Sequence, residues 1–341
     1  MKKMKKYFYI FSKKCLLPAI IPLLMISSCS EDVLKESPLD FLAPENAYNT
    51  FAGIQQGITG LHYNVRQVWY TDSKNQDAFA IMAGSLGTDL AFHGENPGGN
   101  RKLVNYLAEM IPGESDPIQF SFFWTESYKI IQMANVLVER INASDSKIWT
   151  GEAQKKAYLA EAMFFRAWTY RFLVPLYGDV PLVTEPIKTP KTDFTRTPKA
   201  EIYKVMEEDL TFAAANLPEP GKMEAPGRIN QKAAWHVLSE VYLSQAKFQQ
   251  AADAASKVIN GYNSALMTKR FGSTIDAFGS GDVLLDLFGY GNQNLPDNTE
   301  AIWVIQNEPL ITGGGSFPGE RGWGPAYYRM GNTPDGFVAF R

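Results

Sequence analysis

The chain has 341 residues, with 45% hydrophobic and 20% charged side chains, the balance of a folded globular protein and enough for one large domain or two ordinary ones. Its 33 basic and 36 acidic residues are unevenly spread: the first 28 residues hold six lysines and no acid, which leaves 27 basic against 36 acidic in the rest, a net of −9. That acid surplus excludes a nucleic-acid binder, whose phosphate contacts need an excess of Lys and Arg, and excludes attachment to an anionic lipid surface by charge.

Residues 1–28 read as a secretory signal: Lys2, Lys3, Lys5, Lys6, Lys13 and Lys14 form the basic start, an apolar stretch runs from Leu16 to Ile26, and small residues close it. Leu24-Met25-Ile26-Ser27-Ser28-Cys29 has the layout of a bacterial lipobox. Cys15 leaves with the signal, so Cys29 is the sole mature cysteine and no internal disulfide can form. Acylation of Cys29 is therefore the expected membrane anchor. Each buried CH₂ contributes about 0.8 kcal/mol, and more than one acyl chain is needed for stable attachment. Residues 29–43 follow as a lipidated tether. Its opening Ser30-Glu31-Asp32 resembles the surface-export signal of Bacteroidetes lipoproteins; the plainer reading is an acidic flexible linker. No later apolar run reaches the roughly 20 residues that span a bilayer.

A helix is expected over 44–70, opened by Pro44 at its first position. Ala47, Phe51, Ile54, Ile58, Leu61, Val65 and Val68 follow alternating steps of four and three, one apolar stripe on one helix face. Gly53, Gly57 and Gly60 weaken it by about 1 kcal/mol each relative to Ala, a loss offset if a neighbouring helix approaches closely. Residues 71–115, rich in Gly, Asn, Asp and Ser and without period, read as a long loop region, and such loops in compact domains are usually functional. Asp116-Pro117 opens a helix over 117–141, with Phe120, Trp124, Ser127, Ile131, Ala134, Val138 and Ile141 in stripe. A further helix over 151–174 aligns Ala160, Phe164, Trp168 and Phe172 and is expected to stop at Pro175, leaving 176–183 extended or turning. Thr197-Pro198 caps a helix over 198–216, and residues 219–228, with two prolines and two glycines, form a loop. Helices are expected over 230–246 and 248–260. Beyond them 261–341 is loop-rich, with one candidate strand over 300–306.

The pair at 230–260 carries more than helical periodicity. Trp235, Leu238, Ser239, Tyr242, Ala251, Ala255 and Val258 fall at the pattern positions of a roughly 34-residue tetratricopeptide (TPR) repeat. Small residues let the two helices touch, large ones fill the spaces around them, and one repeat cannot bury its own face, so the helices at 117–141, 151–174 and 198–216 are its natural stacking partners. Trp124, Trp168 and Trp235 lie on apolar stripes and are expected in the core.

The run Glu161 to Tyr170, EAMFFRAWTY, continuing as LYGDVPL from Leu176 to Leu182, closely resembles a segment of the SusD/RagB family. So do Arg228 to Ala234 with Tyr242-Leu243, Thr88-Asp89 in the first long loop, and Glu300-Ala301-Ile302-Trp303. The resemblance implies a mainly α fold: a TPR-like helical scaffold carrying irregular loops and short β elements as a ligand platform, formed by 71–115 and 261–341. It implies a nutrient-binding lipoprotein of the outer membrane, facing the cell exterior, that hands glycan, or peptide in some relatives, to a SusC-like TonB-dependent transporter barrel. Family members run well past residue 341, so the resemblance also implies a domain, 44–341, truncated at its C-terminus. A second reading is a TPR-type scaffold lipoprotein that binds only protein.

No reactive constellation stands out. His62, His93 and His236 lack metal-ligand spacing, and there is no GxSxG, HExxH or phosphate-binding loop. The expectation is no enzyme, no metal and no cofactor. Glu161 and Asp179 are expected to be structural, satisfying helix ends or Arg166. Sugar capture asks instead for aromatic faces with amide, carboxylate and guanidinium groups around them. Two loops gather these: Trp69, Tyr70, Asn75, Asp77, Phe92 and His93 in one, Trp323, Tyr327, Tyr328 and Arg329 in the other.

Overall fold

A computed structural model describes residues 44–69, 118–277, 281–289, 291–308 and 314. The chain divides into two compact units, Met1–Ala47 and Tyr48–Arg341. Of the first, one short helix is described, α1 (Pro44–Ala47). The signal, Cys29 and its tether lie outside the described residues, as do loop 71–115 and the Asp116-Pro117 start.

The single helix expected over 44–70 is broken. Tyr48-Asn49-Thr50 turn, and Thr50 starts a new helix, α2 (Phe51–Trp69), by accepting the Gly53 N–H on Oγ1 at 3.1 Å. A hydroxyl at this position satisfies one of the free N–H groups at a helix start, so the break costs little. Ile54, Ile58, Leu61 and Val65 on the predicted stripe are fully buried. Next come α3 (Ile118–Ala143), α4 (Glu152–Tyr177), α5 (Lys199–Asn216), α6 (Gln231–Ser244) and α7 (Phe248–Gly261). Each of these helices packs mainly on the next in chain order, the arrangement of stacked helical hairpins.

Two glycines allow α2 and α3 to meet. A Cβ on Gly57 would stand 2.6 Å from Leu137 Cδ2, and one on Gly60 would stand 3.2 Å from Met133 Cε. Residues rising along α2 thus face residues falling along α3. The two helices are antiparallel, so the end of α2 and the start of α3 lie at the same end of the pair.

Helix α4 is the centre of the stack. Phe164, Phe165, Ala167, Tyr170 and Leu173 are fully buried, and Trp168 nearly so, as expected of a helix covered on all sides. It does not stop at Pro175, as expected, but runs on through Leu176 to Tyr177. Proline forfeits its own backbone bond to the carbonyl four residues back, and the helix bears that single loss for two more residues. Gly178 then closes the helix with φ 72°, its N–H reaching Val174 O at 2.9 Å. The chain turns back through one antiparallel bridge, Val180 to Thr197.

Thr197 does not cap α5: its hydroxyl receives Leu182 N–H at 3.3 Å. Asp179 supplies the cap instead, accepting Lys199 N–H at 2.9 Å. In the TPR pair Leu238, Ala251 and Val258 are buried, while Trp235 and Tyr242 pack partly buried against the core. Ala254, not Ala255, is the second small contact residue. Two short helices, α8 (Thr274–Ala277) and α9 (Val283–Leu287), lie in the loop-rich part. Residues 300–306 form no strand among the described residues. Side chains hold the segment instead: Lys232 Nζ donates to Ala301 O at 2.8 Å, and Arg66 Nη1 to Gln306 O at 3.0 Å.

Candidate functional site

Two buried ionic clusters set the positions of everything around α4. Arg166 forks onto Asp209 with both bonds at 2.7 Å and also donates to Asn135 Oδ1 and Thr184 O. Burial alone would lower the Arg166 pKa, but the Asp209 carboxylate raises it, so the guanidinium stays charged. Through Asn135 and Gln132 of α3, the turn after α4 is laid along the bundle: Asn135 donates to Val183 O, and Gln132 brackets the Ile187 backbone from both sides.

The second cluster surrounds Glu161. It accepts Arg228 Nε on both oxygens at 2.8 Å, His62 Nε2 at 2.7 Å and Ile229 N–H at 3.4 Å. Burial would raise the Glu161 carboxyl, yet the His62 hydrogen bond and the Arg228 charge outweigh it and hold the group at about 2. Glu161 was expected to serve a helix end or Arg166. Its partner is Arg228, because Asp209 already occupies Arg166. Asp179 does satisfy a helix end.

Above this cluster Trp303 sits among His62, Phe164, Phe165 and Trp168 at ring distances of 6.0–6.5 Å and donates its indole N–H to Gly227 O. These groups are consumed by packing. No group of three or more His, Cys, Asp or Glu able to hold a metal occurs among the described residues. None of their helices is long and apolar enough to cross a membrane.

An open cleft of 560 Å³ lies where α2 ends and α3 begins. Among the described residues it is lined by Asn64, Trp124, Thr125, Tyr128, Lys129, Gln132 and Met133. Trp124 is only half-buried, although its stripe position marked it as core; Trp168 is the tryptophan that meets that expectation. Its ring meets Tyr177 edge-on at 5.0 Å and leans on Tyr128 at 5.0 Å.

Of the loop residues expected to touch ligand, Trp69 is the last residue of α2 and its side chain is not described. Tyr70, Asn75, Asp77, Phe92, His93, Trp323, Tyr327, Tyr328 and Arg329 lie outside the described residues, as does Thr88-Asp89. The cleft was not foreseen from sequence. The only signal for it was a polar face, Asn64 with Thr125, Lys129 and Gln132, flanking the two apolar stripes.

The fold and motifs find their counterparts among known proteins. A family model described as SusD-like, starch-binding and associating with outer membrane matches residues 101–243. A SusD-like protein of Formosa agariphila is 32% identical over 253 residues, 73% of this chain and 46% of that protein. The chain spans about half the length of the curated relatives it matches. A SusD homolog from Bacteroides thetaiotaomicron shares the fold with TM-score 0.55 at 20% identity, over 70% of this chain and 45% of that one. A laminarin-binding SusD-like protein does so with TM-score 0.53 at 23% identity, over 65% and 47%. In sequence, in the EAMFFRAWTY helix at its centre and in the helical stack built around that helix, the chain belongs to the SusD/RagB family.

Proposed function

We propose that the protein is a non-catalytic glycan-binding lipoprotein of the outer membrane, anchored through acylated Cys29 and facing the cell exterior. In this reading it passes oligosaccharide to a SusC-like TonB-dependent barrel. The observation that carries it is family membership, with a fold neighbour described as laminarin-binding and a family description naming starch. The architecture supports it. A stack pinned by two buried ion pairs sets the end of α2 and the start of α3 at the same end of the bundle, and the sequence between them, 70–117, holds half of the candidate sugar-binding side chains.

Calorimetric titration of the chain against starch-, laminarin- and xyloglucan-derived oligosaccharides tests the reading. Saturable binding to at least one is expected. Absence of binding to all of them, with capture of a co-expressed barrel, would favour the second reading, a TPR-type scaffold that binds only protein. One observation favours that alternative: α7 carries a second apolar stripe, Phe248, Ala252, Ala255 and Ile259, of which Phe248 and Ile259 are 67% and 57% exposed.

A further inference from the structure

Trp124 occupies a position whose periodicity belongs to the core, yet its ring borders an open cleft. Most tryptophans so placed are covered. Its orientation is fixed before any ligand arrives, by the edge-on contact with Tyr177 and by Tyr128. Tyr128 is itself held by its hydroxyl, which donates to Pro181 O at 2.8 Å. An aromatic face held this way loses little conformational freedom on binding.

The surroundings are mostly apolar, with a few polar groups among them, and close to neutral. Lys129 is paired with Glu126 at 2.5 Å, so the one cation lining the cleft among the described residues carries its own counter-charge. Asn64 donates from Nδ2 to Gly60 O and Met133 Sδ, bonds in which its amide oxygen takes no part. Thr125 adds an exposed hydroxyl at the rim. Gln132 is fully engaged with Ile187 and serves as a wall. The volume of 560 Å³ falls within the roughly 300–1,000 Å³ of small-ligand sites.

A preset aromatic face, hydroxyl-bonding groups beside it and no net charge are the requirements of an uncharged sugar ring. A charged peptide or a phosphate would leave its charge unanswered here. An aliphatic chain would make no use of the Asn64 amide oxygen or the Thr125 hydroxyl. We infer that the Trp124 cleft is a binding subsite for a pyranose ring of a neutral oligosaccharide, built from residues of the helical scaffold itself. This inference rests on the glycan-binding reading and adds a location to it.

The test is calorimetric titration of the full chain with malto-, laminari- and xylogluco-oligosaccharides, comparing the wild type with Trp124→Ala, Thr125→Arg and Trp323→Ala. Thr125 is exposed, so Thr125→Arg fills the cleft without disturbing the core, and its unchanged melting temperature certifies the fold if Trp124→Ala proves unstable. The expected result is that Trp124→Ala and Thr125→Arg each weaken the best ligand by about tenfold, equivalent to about 1.4 kcal/mol. Binding within twofold of wild type in Thr125→Arg overturns the subsite. Loss of binding in Trp323→Ala alone likewise overturns it while leaving the glycan-binding reading intact. Failure of the wild type to bind any of the three series overturns both.

Discussion

Replacing Arg228 with Met keeps the aliphatic stem but removes the charge that answers Glu161. The Glu161 side chain is 3% exposed and receives three bonds from this guanidinium. With the arginine gone, His62 and one backbone N–H remain for a carboxylate that cannot reach water. Leaving a buried charge without its partner costs about 3–5 kcal/mol, a large part of the roughly 5–15 kcal/mol that holds a domain together. The pH dependence gives an independent reading. In the native protein the Glu161 carboxyl titrates at about 2 rather than at its ordinary 4.5, which corresponds to about 3 kcal/mol of stability. Because the folded value is the lower one, that contribution is present in full above the ordinary value and is lost as the pH falls from there towards 2. In Arg228→Met burial dominates and the carboxyl shifts upward, so acid relieves the variant while it begins to weaken the native protein. Urea unfolding followed by circular dichroism at about pH 7 and about pH 4 is expected to show a deficit that is large at the first and smaller at the second. A deficit below about 1 kcal/mol, or one identical at both pH values, would refute the assignment of Glu161 and Arg228 as the central pair.

Three other perturbations probe different levels of the structure. Cys29→Ala is expected to move the protein from the membrane fraction to the soluble one, and persistence at the membrane after carbonate washing would contradict the anchor. Ala167 is fully buried on α4, so Ala167→Trp overpacks the stack by about 1–3 kcal/mol or more; an unchanged melting temperature would contradict the packing. Asp179→Ala removes the acceptor for Lys199 N–H and is expected to cost about 1 kcal/mol in chemical denaturation. Wild-type stability there would mean that α5 starts without this cap.

Periodicity carried the fold. The stripe Ile54, Ile58, Leu61, Val65 predicted from its spacing is the buried face of α2, because apolar spacing encodes which side of a helix avoids water. Spacing says nothing of partners. Glu161 and Arg228 are 67 residues apart, and only the stacking of α4 against the turn before α6 brings them together, so the sequence suggested the nearer Arg166. Local rules failed where an unforeseen group satisfied the same need. Asp179, across the turn, displaced Thr197 as the cap of α5, and Thr50 restarted a helix that spacing alone carried through. Pro175 was read as a stop because it cannot donate its own helix bond, but the loss is confined to that one bond, and Gly178 N–H beyond it still reaches Val174 O. Trp124 was read as core and not as the wall of a cleft: its partial exposure depends on how α2 and α3 lie together, which no single helix records.

The small residues Gly57 and Gly60 have an effect beyond the contact they permit. By drawing α2 against α3 they fix the distance between the two points where segment 70–117 joins the scaffold. The cost of closing a flexible loop rises by only about 0.6 kcal/mol for each doubling of its length once its ends are fixed. Insertion, deletion or exchange of side chains between such stems costs the scaffold little, so the intervening sequence is free to vary while the helices stay the same.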